Sequence, residues 1–169
     1  MARGSGWTFL AVLAGVSPLL VLVHEYRDLT KRVTWETIRA TTLSDKGETL
    51  AHQGDLQAAR SNYEQALALS PGHSLTLLRM ADLRLAEHDL AGAESYGRQA
   101  VASDPRLGEG YNTLGVIAAM RGEMPRAIEY FQKTLELMPN HAMARENLAR
   151  ARQQVASHGS SASVSGPAP

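Results

Sequence analysis

Three hydrophobic patterns follow one another along the chain. Residues 7–23 (WTFLAVLAGVSPLLVLV) are an uncharged, mostly apolar run with no polar stripe. A helix that is apolar all round suits lipid better than the edge of a protein core. At 1.5 Å rise per residue this one reaches roughly 25 Å, the short end of a bilayer crossing. Residues 24–39 (HEYRDLTKRVTWETIR) carry a partial stripe of Leu29, Val33, Trp35 and Ile38, with charges elsewhere. That pattern predicts an amphipathic helix. From residue 40 onward, short helical stretches alternate with turn residues and prolines.

This last region keeps a fixed beat. Pro71, Pro105 and Pro139 are evenly spaced, and sliding the sequence by their interval superimposes Gly47 on Ala81 and Gly115. The same shift lays Ala59 on Ala93 and Ala127, Asp55 on Asp89 and Glu123, and Ala66 on Ala100 and Thr134. Each unit reads as helix A, a turn, helix B and a proline stop. Gly54 closes helix A in the first unit, and Asp55 opens helix B, where a carboxylate suits the positive helix end. His88 and Asp89, then Gly122 and Glu123, occupy the matching turns. Pro125 falls in the first turn of its helix, where its missing N–H costs little. Small residues facing Leu43, Tyr63, Leu77, Tyr111 and Phe131 are what interdigitating helices require. A period of this length marks a stacked array, each unit burying its apolar face against its neighbours.

The repeat resembles the tetratricopeptide (TPR) family, whose pattern is W-x2-L-G-x2-Y, then A-x3-F-x2-A, then P. Leu43, Gly47, Leu50, Ala59, Tyr63, Ala66 and Pro71 carry the resemblance in the first unit. Leu77, Met80, Ala81, Ala93, Ala100 and Pro105 carry it in the second. In the third, the matching residues are Tyr111, Leu114, Gly115, Ala118, Ala127, Phe131 and Pro139. Lys46, Arg84 and Gly97 depart from it. The resemblance implies an all-α TPR solenoid of three helix-turn-helix repeats (residues 40–73, 74–107 and 108–141). Residues 142–156 should add a capping helix with a polar outer face, and 157–169 a disordered tail. Ahead of the repeats the pattern predicts a leader over 1–6, a single transmembrane helix over 7–26 and a helical stem over 27–39.

The family lines its concave wall with helix A and holds a segment of a partner protein there. Carried over position by position, the partner groove comprises Ser44, Glu48 and His52, then Leu75, Leu78, Asp82 and Leu85, then Glu109, Asn112, Val116 and Met120. The wall mixes an apolar strip with three carboxylates, so the expected occupant is an apolar segment with basic flanks. One subfamily grips carboxylate tails with cations from this wall. Here the corresponding places hold Ser44, Glu48, Arg79, Glu109 and Thr113, of which only Arg79 is a cation.

Charge and chemistry narrow the function further. Lys+Arg and Asp+Glu both number 17, so no net charge recruits nucleic acid. With no cysteine, disulfides, thiolate metal sites, cysteine nucleophiles and lipids attached through sulfur are excluded. The six histidines show no HExxH or comparable spacing, and there is no GxxxxGK[ST], GxSxG or GxGxxG at a strand-to-helix turn. The reading is therefore not an enzyme, with no cofactor and no metal. It is a membrane-anchored TPR scaffold or adaptor, single-pass in a plasma or inner membrane. Two alternatives stand beside it. One is an accessory subunit bound through its transmembrane helix to other membrane subunits. The other is a secreted binder after signal cleavage, although residues 22–27 (LVHEYR) offer no small-x-small site. Ala11 and Gly15 form a small-xxx-small pair compatible with a homo-oligomer. Arg27, Lys31, Arg32 and Arg39 lean towards a cytoplasmic repeat domain, while the short leader leans the other way, so the side stays open.

Overall fold

A computed structural model describes residues 35–162, with side-chain surroundings for 35–157. The expected leader and transmembrane helix, residues 27–34 of the expected stem and the tail beyond 162 lie outside the described residues. The described residues hold seven α-helices and no strand. None of these helices is long and apolar enough to cross a membrane. Contacts divide the chain into Met1–Arg39 and Ala40–Pro169. In the first unit the Arg39 guanidinium lies 5.5 Å from the centre of the Trp35 ring, and Trp35 and Ile38 are exposed.

The helices pair as the repeating pattern requires. α1 (Trp35–His52) and α2 (Leu56–Leu69) form the first repeat, α3 (Ser74–Ala86) and α4 (Leu90–Ser103) the second, α5 (Gly108–Met120) and α6 (Met124–Leu137) the third. α7 (Ala142–Ala162) closes the stack against α6 and α5. Helix B of each repeat stops at Ser70, Asp104 or Met138. Their φ values of −141°, −136° and −134° are extended, as the following proline demands. The turns between A and B need a left-handed residue. Gly54 and Gly122 supply it with φ of +85° and +77°, while His88 is forced to +60° without glycine's freedom.

Size complementarity holds each hairpin together. A Cβ built on Gly47 would sit 2.6 Å from Tyr63 Cε1, and one on Gly115 would sit 2.5 Å from Phe131 Cε1. The second repeat solves the same problem differently. Ala81 fills the helix A side, so helix B must carry Gly97, and the side chain of Leu114 from the next repeat moves in beside it. Tyr96, one residue earlier, supplies aromatic volume against two buried clusters, that of Ala59, Tyr63, Met80 and Leu83 and that of Leu77, Leu78 and Ala100. The other departures are accommodated too: Lys46 is exposed, and Arg84 pairs with Glu87 at 3.4 Å.

Two features differ from expectation. α7 runs to Ala162, so residues 157–162 are helical where a disordered tail was expected. Burial of Ala144, Leu148 and Ala151 fixes the helix, and each further residue then adds a hydrogen bond without renewed nucleation. The helix N-caps also divide unexpectedly. Asp55 and Asp89 accept from the N–H of Ala58 and Gly92, at 3.0 and 2.9 Å. Glu123 makes no cap bond and pairs with Arg126 instead. Two histidines act as caps that the sequence pattern did not flag. His73 Nδ1 accepts from the N–H of Thr76 at 3.3 Å, and His141 Nδ1 from that of Ala144 at 3.0 Å. The remaining nitrogen then carries the proton. His73 Nε2 donates to Thr41 Oγ1 and His141 Nε2 to Glu109 Oε2, both at 3.1 Å. Each histidine thus clips the next helix A to the preceding one, and burial, against the pull of Asp45, holds His73 below its ordinary pKa.

Candidate partner groove

The wall residues separate into three depths. Ser44 and Leu78 are buried at 5 % and 4 % exposure, so the outward role expected of them is corrected. Leu78 packs with Leu77 and Ala100, and Leu67 and Tyr96 from the B helices and Leu107 from the following turn close around that cluster. Glu48, Leu85, Asn112 and Val116 are half-buried. His52, Leu75, Asp82, Glu109 and Met120 are exposed and share the A-helix face. Met143 of α7 takes the register place of Leu75 and Glu109 and is 65 % exposed, which lengthens the wall by one helix.

Acidic groups dominate its charge. Glu48 Oε1 meets Arg79 Nη2 at 2.5 Å and His52 Nε2 at 3.8 Å. Glu109 is tied to His141. Asp82 has only a hydroxyl partner, the Thr113 Oγ1–H that donates to Oδ1 at 3.1 Å. Although its edge meets solvent, the groove walls crowd Asp82, and the water they displace raises its pKa. Thr113 and Arg79 pull it down, and Glu109 adds to the rise. Asp82 is thus a carboxylate in want of a cation. Asn112 Oδ1 is buried with no hydrogen-bond partner among the described residues.

Two recesses open between successive repeats on this face. One, of about 250 Å³, lies between the first and second repeats, with Glu48, Arg79 and Asp82 on its rim and Leu56, Tyr63 and Leu83 in its walls. The other, of about 270 Å³, lies between the third repeat and α7 and is formed by Val116, Met120, Met124, Phe131, Asn147 and Arg150 among others. Leu56 and Met124 open their B helices and were missed by the sequence reading, which placed the wall on helix A alone. Their signal was present: both directly follow the turn acid, Asp55 or Glu123. No group of three or more His, Cys, Asp or Glu among the described residues could hold a metal.

Comparison with known proteins agrees with this architecture. Tetratricopeptide repeat models match residues 50–114 and 108–141. Mouse tetratricopeptide repeat protein 33 is 30 % identical over 116 residues, covering 68 % of this chain and 44 % of that protein. The small glutamine-rich tetratricopeptide repeat-containing protein 2 of Mycosarcoma maydis is 28 % identical over 125 residues, 73 % of this chain and 35 % of its own. The chain therefore spans less than half the length of these curated relatives. Among solved structures, the first TPR domain of the human RPAP3 protein superimposes with a TM-score of 0.67 at 25 % identity, over 73 % of this chain and 97 % of that one. The first TPR of Spaghetti (RPAP3), bound to the HSP90 peptide SRMEEVD, gives 0.68 at 24 %, over 71 % and 98 %. Paired helices in a constant register, small residues at each crossing and family matches across residues 50–141 place this chain in the tetratricopeptide repeat family.

Proposed function

We propose that this protein is a membrane-tethered scaffold that holds a segment of another protein on its A-helix face. The observation that carries the reading is the mixture on that face: Leu75 and Met120 are exposed on it, and so is Asp82, a carboxylate with no ion-pair partner among the described residues. An apolar segment with basic flanks satisfies both, as helix or strand. An acidic C-terminal tail like the HSP90 peptide held by the Spaghetti domain finds poor support. Arg79, the cation at the corresponding places, is already paired with Glu48. The apolar run over residues 7–23 supports the tether, which confines partners to the bilayer plane and lets a modest groove affinity suffice. The work proposed is binding, as is typical of TPR scaffolds.

The test is crosslinking in intact cells with the full chain and with a Glu48→Lys, Asp82→Lys, Glu109→Lys variant. Recovery of the main crosslinked partner should fall about tenfold, while helix content by circular dichroism stays the same. Equal recovery would remove the groove from the account. An alkaline wash of the membrane fraction tests the tether separately. The full chain should stay in the pellet, and a chain lacking residues 1–26 should leave it; release of both would refute anchoring.

A further inference from the structure

We infer that the two recesses read opposite ends of one bound segment: a lysine or arginine enters the recess between the first and second repeats, and a bulky apolar side chain enters the one beside α7. This rests on the groove reading above and adds to it a spacing and a polarity.

The recesses are copies of each other. A shift of two repeat lengths carries Glu48 onto Val116, Arg79 onto Asn147 and Asp82 onto Arg150. The same shift carries Leu56 onto Met124 and Tyr63 onto Phe131, so the shape is kept while the charge is not. The first recess sets two carboxylates against one arginine, and one of those carboxylates has no ion-pair partner among the described residues. The second contains no carboxylate. Its cation, Arg150, is paired with Glu146 at 2.8 Å, and Met120, Met124 and Val116 supply unbranched or small apolar walls that adapt to a guest. Charge complementarity therefore assigns the cation to the first recess and excludes it from the second.

The spacing follows from helix packing. Neighbouring A helices sit one packing distance apart, about 8–10 Å, so recesses two repeats apart are separated by roughly 16–20 Å. An extended chain covers that in about five or six residues at roughly 3.3 Å each. The groove thus selects a basic residue and a large apolar residue at that separation along an extended partner segment.

The probes are short Gly/Ser peptides carrying one Lys and one Leu, made in both sequence orders with separations of two, five, six and nine. The full chain, in mild detergent with labelled methionine methyl groups, reports binding through the Met120 and Met124 signals. The expected result is saturable binding that is about fivefold tighter for separations of five or six than for two or nine, in one sequence order. Asp82→Asn should remove the advantage of the Lys, and Met120→Glu the advantage of the Leu, each variant retaining the native methyl spectrum elsewhere. Saturable binding that is lost on Leu75→Glu yet ignores separation and both recess substitutions would overturn the two-recess inference and leave the groove reading standing. Absence of any saturable shift would overturn both. Binding that appears only after removal of residues 1–34 would assign the face to the chain's own leading segment, and would likewise overturn it.

Discussion

Replacing Gly115 by alanine puts the packing account at risk in a single atom. In the middle of a helix, glycine to alanine is intrinsically favourable by about 1 kcal/mol, through backbone entropy and propensity. Here the new Cβ would lie 2.5 Å from Phe131 Cε1, 2.7 Å from Cδ1 and 3.0 Å from Cζ. Carbon atoms rest about 3.5–4.0 Å apart, so the ring must retreat by roughly 1 Å. It has no room: Phe131 is 1 % exposed and packs in a cluster with Ala118, Ala127, Leu148 and Ala151. Overpacking of this kind costs about 1–3 kcal/mol, which outweighs the helix gain and leaves a net loss of about 1 kcal/mol. Gly97→Ala supplies the internal control. Its Cβ meets Leu114 Cδ2 and Cγ at 3.0 and 3.3 Å, so this buried side chain need give only a few tenths of an ångström and the variant should lose clearly less stability than Gly115→Ala. Urea unfolding followed by circular dichroism and by near-ultraviolet signals gives both numbers, with coincidence of the two probes checking cooperativity, since repeat arrays can lose it. Phe131→Leu added to Gly115→Ala should recover much of the loss, a coupling that independent sites would not show. A Gly115→Ala protein as stable as the wild type, or a loss that Phe131→Leu leaves untouched, would refute the reasoning.

Three further outcomes follow. His88→Gly should raise the thermal midpoint, because it releases a left-handed strain of about 1–2 kcal/mol against a glycine entropy cost of about 0.4–1 kcal/mol; an unchanged or lower midpoint counts against strain in that turn. Burial pushes the Glu94 carboxyl up, but hydrogen bonds from Arg98, Arg126 and Arg121 outweigh it and lower the pKa to about 2. A lowered acid gives stability that is complete above the ordinary glutamate pKa near 4.5 and is lost as pH falls towards 2. Wild type should therefore exceed Glu94→Gln by about 1 kcal/mol at pH 6, after screening at this surface site, with the gap closing below pH 4; a gap independent of pH in acid titration would sink this account. Asp82 runs the other way, since its raised pKa means the charged form opposes folding once pH exceeds the ordinary aspartate value. Asp82→Asn, which keeps an acceptor for Thr113, should be more stable than wild type at pH 7 but not at pH 3, and equal stability at both values would contradict the desolvation argument.

The legible part of this fold was local. Pro71, Pro105 and Pro139 restrict the residue before them wherever they stand, so the end of each helix B could be read from the chain. Gly47 with Tyr63 and Gly115 with Phe131 sit inside single repeats, where spacing alone reveals the match of small to large. Gly97 was opaque for the opposite reason. Its compensation comes from Leu114 in the next repeat and from Tyr96, one residue out of register, neither of which the family pattern anticipates. The histidine caps were missed because a histidine before a helix has no strong prior as a capping residue, although His73 and His141 occupy matching places two repeats apart. In the groove, residue identities carried over but depth did not. Ser44 and Leu78 lie on the expected register yet are buried, and the cluster around Leu78 draws on Leu67 of the preceding repeat and Leu107 ahead of the following one, which its own repeat does not contain.

Charge adds a preference for the right neighbour to the order that the short turns between repeats already impose. On the side chains that bridge repeats, Arg60 of the first repeat pairs with Glu87 of the second, and one repeat further on Glu94 pairs with Arg121 of the third. Position and reach are the same in the two staples, and the sign is reversed. At the third junction the equivalent places hold Ile128 and Val155, with no charge at all. A stack that seated the first repeat on the third would set Arg60 against Arg121, and one that joined two copies of the second repeat would set Glu94 against Glu87. Each native pair contributes about 0–1 kcal/mol as a surface ion pair, too little to drive folding. The penalty for a wrong neighbour counts twice, because an attraction is lost and a repulsion is gained, and it falls where the small-residue core cannot discriminate. The repeats are therefore alike where they must stack and unlike where they must be told apart. The same division recurs on the A-helix face, where two recesses at equivalent places present different charge.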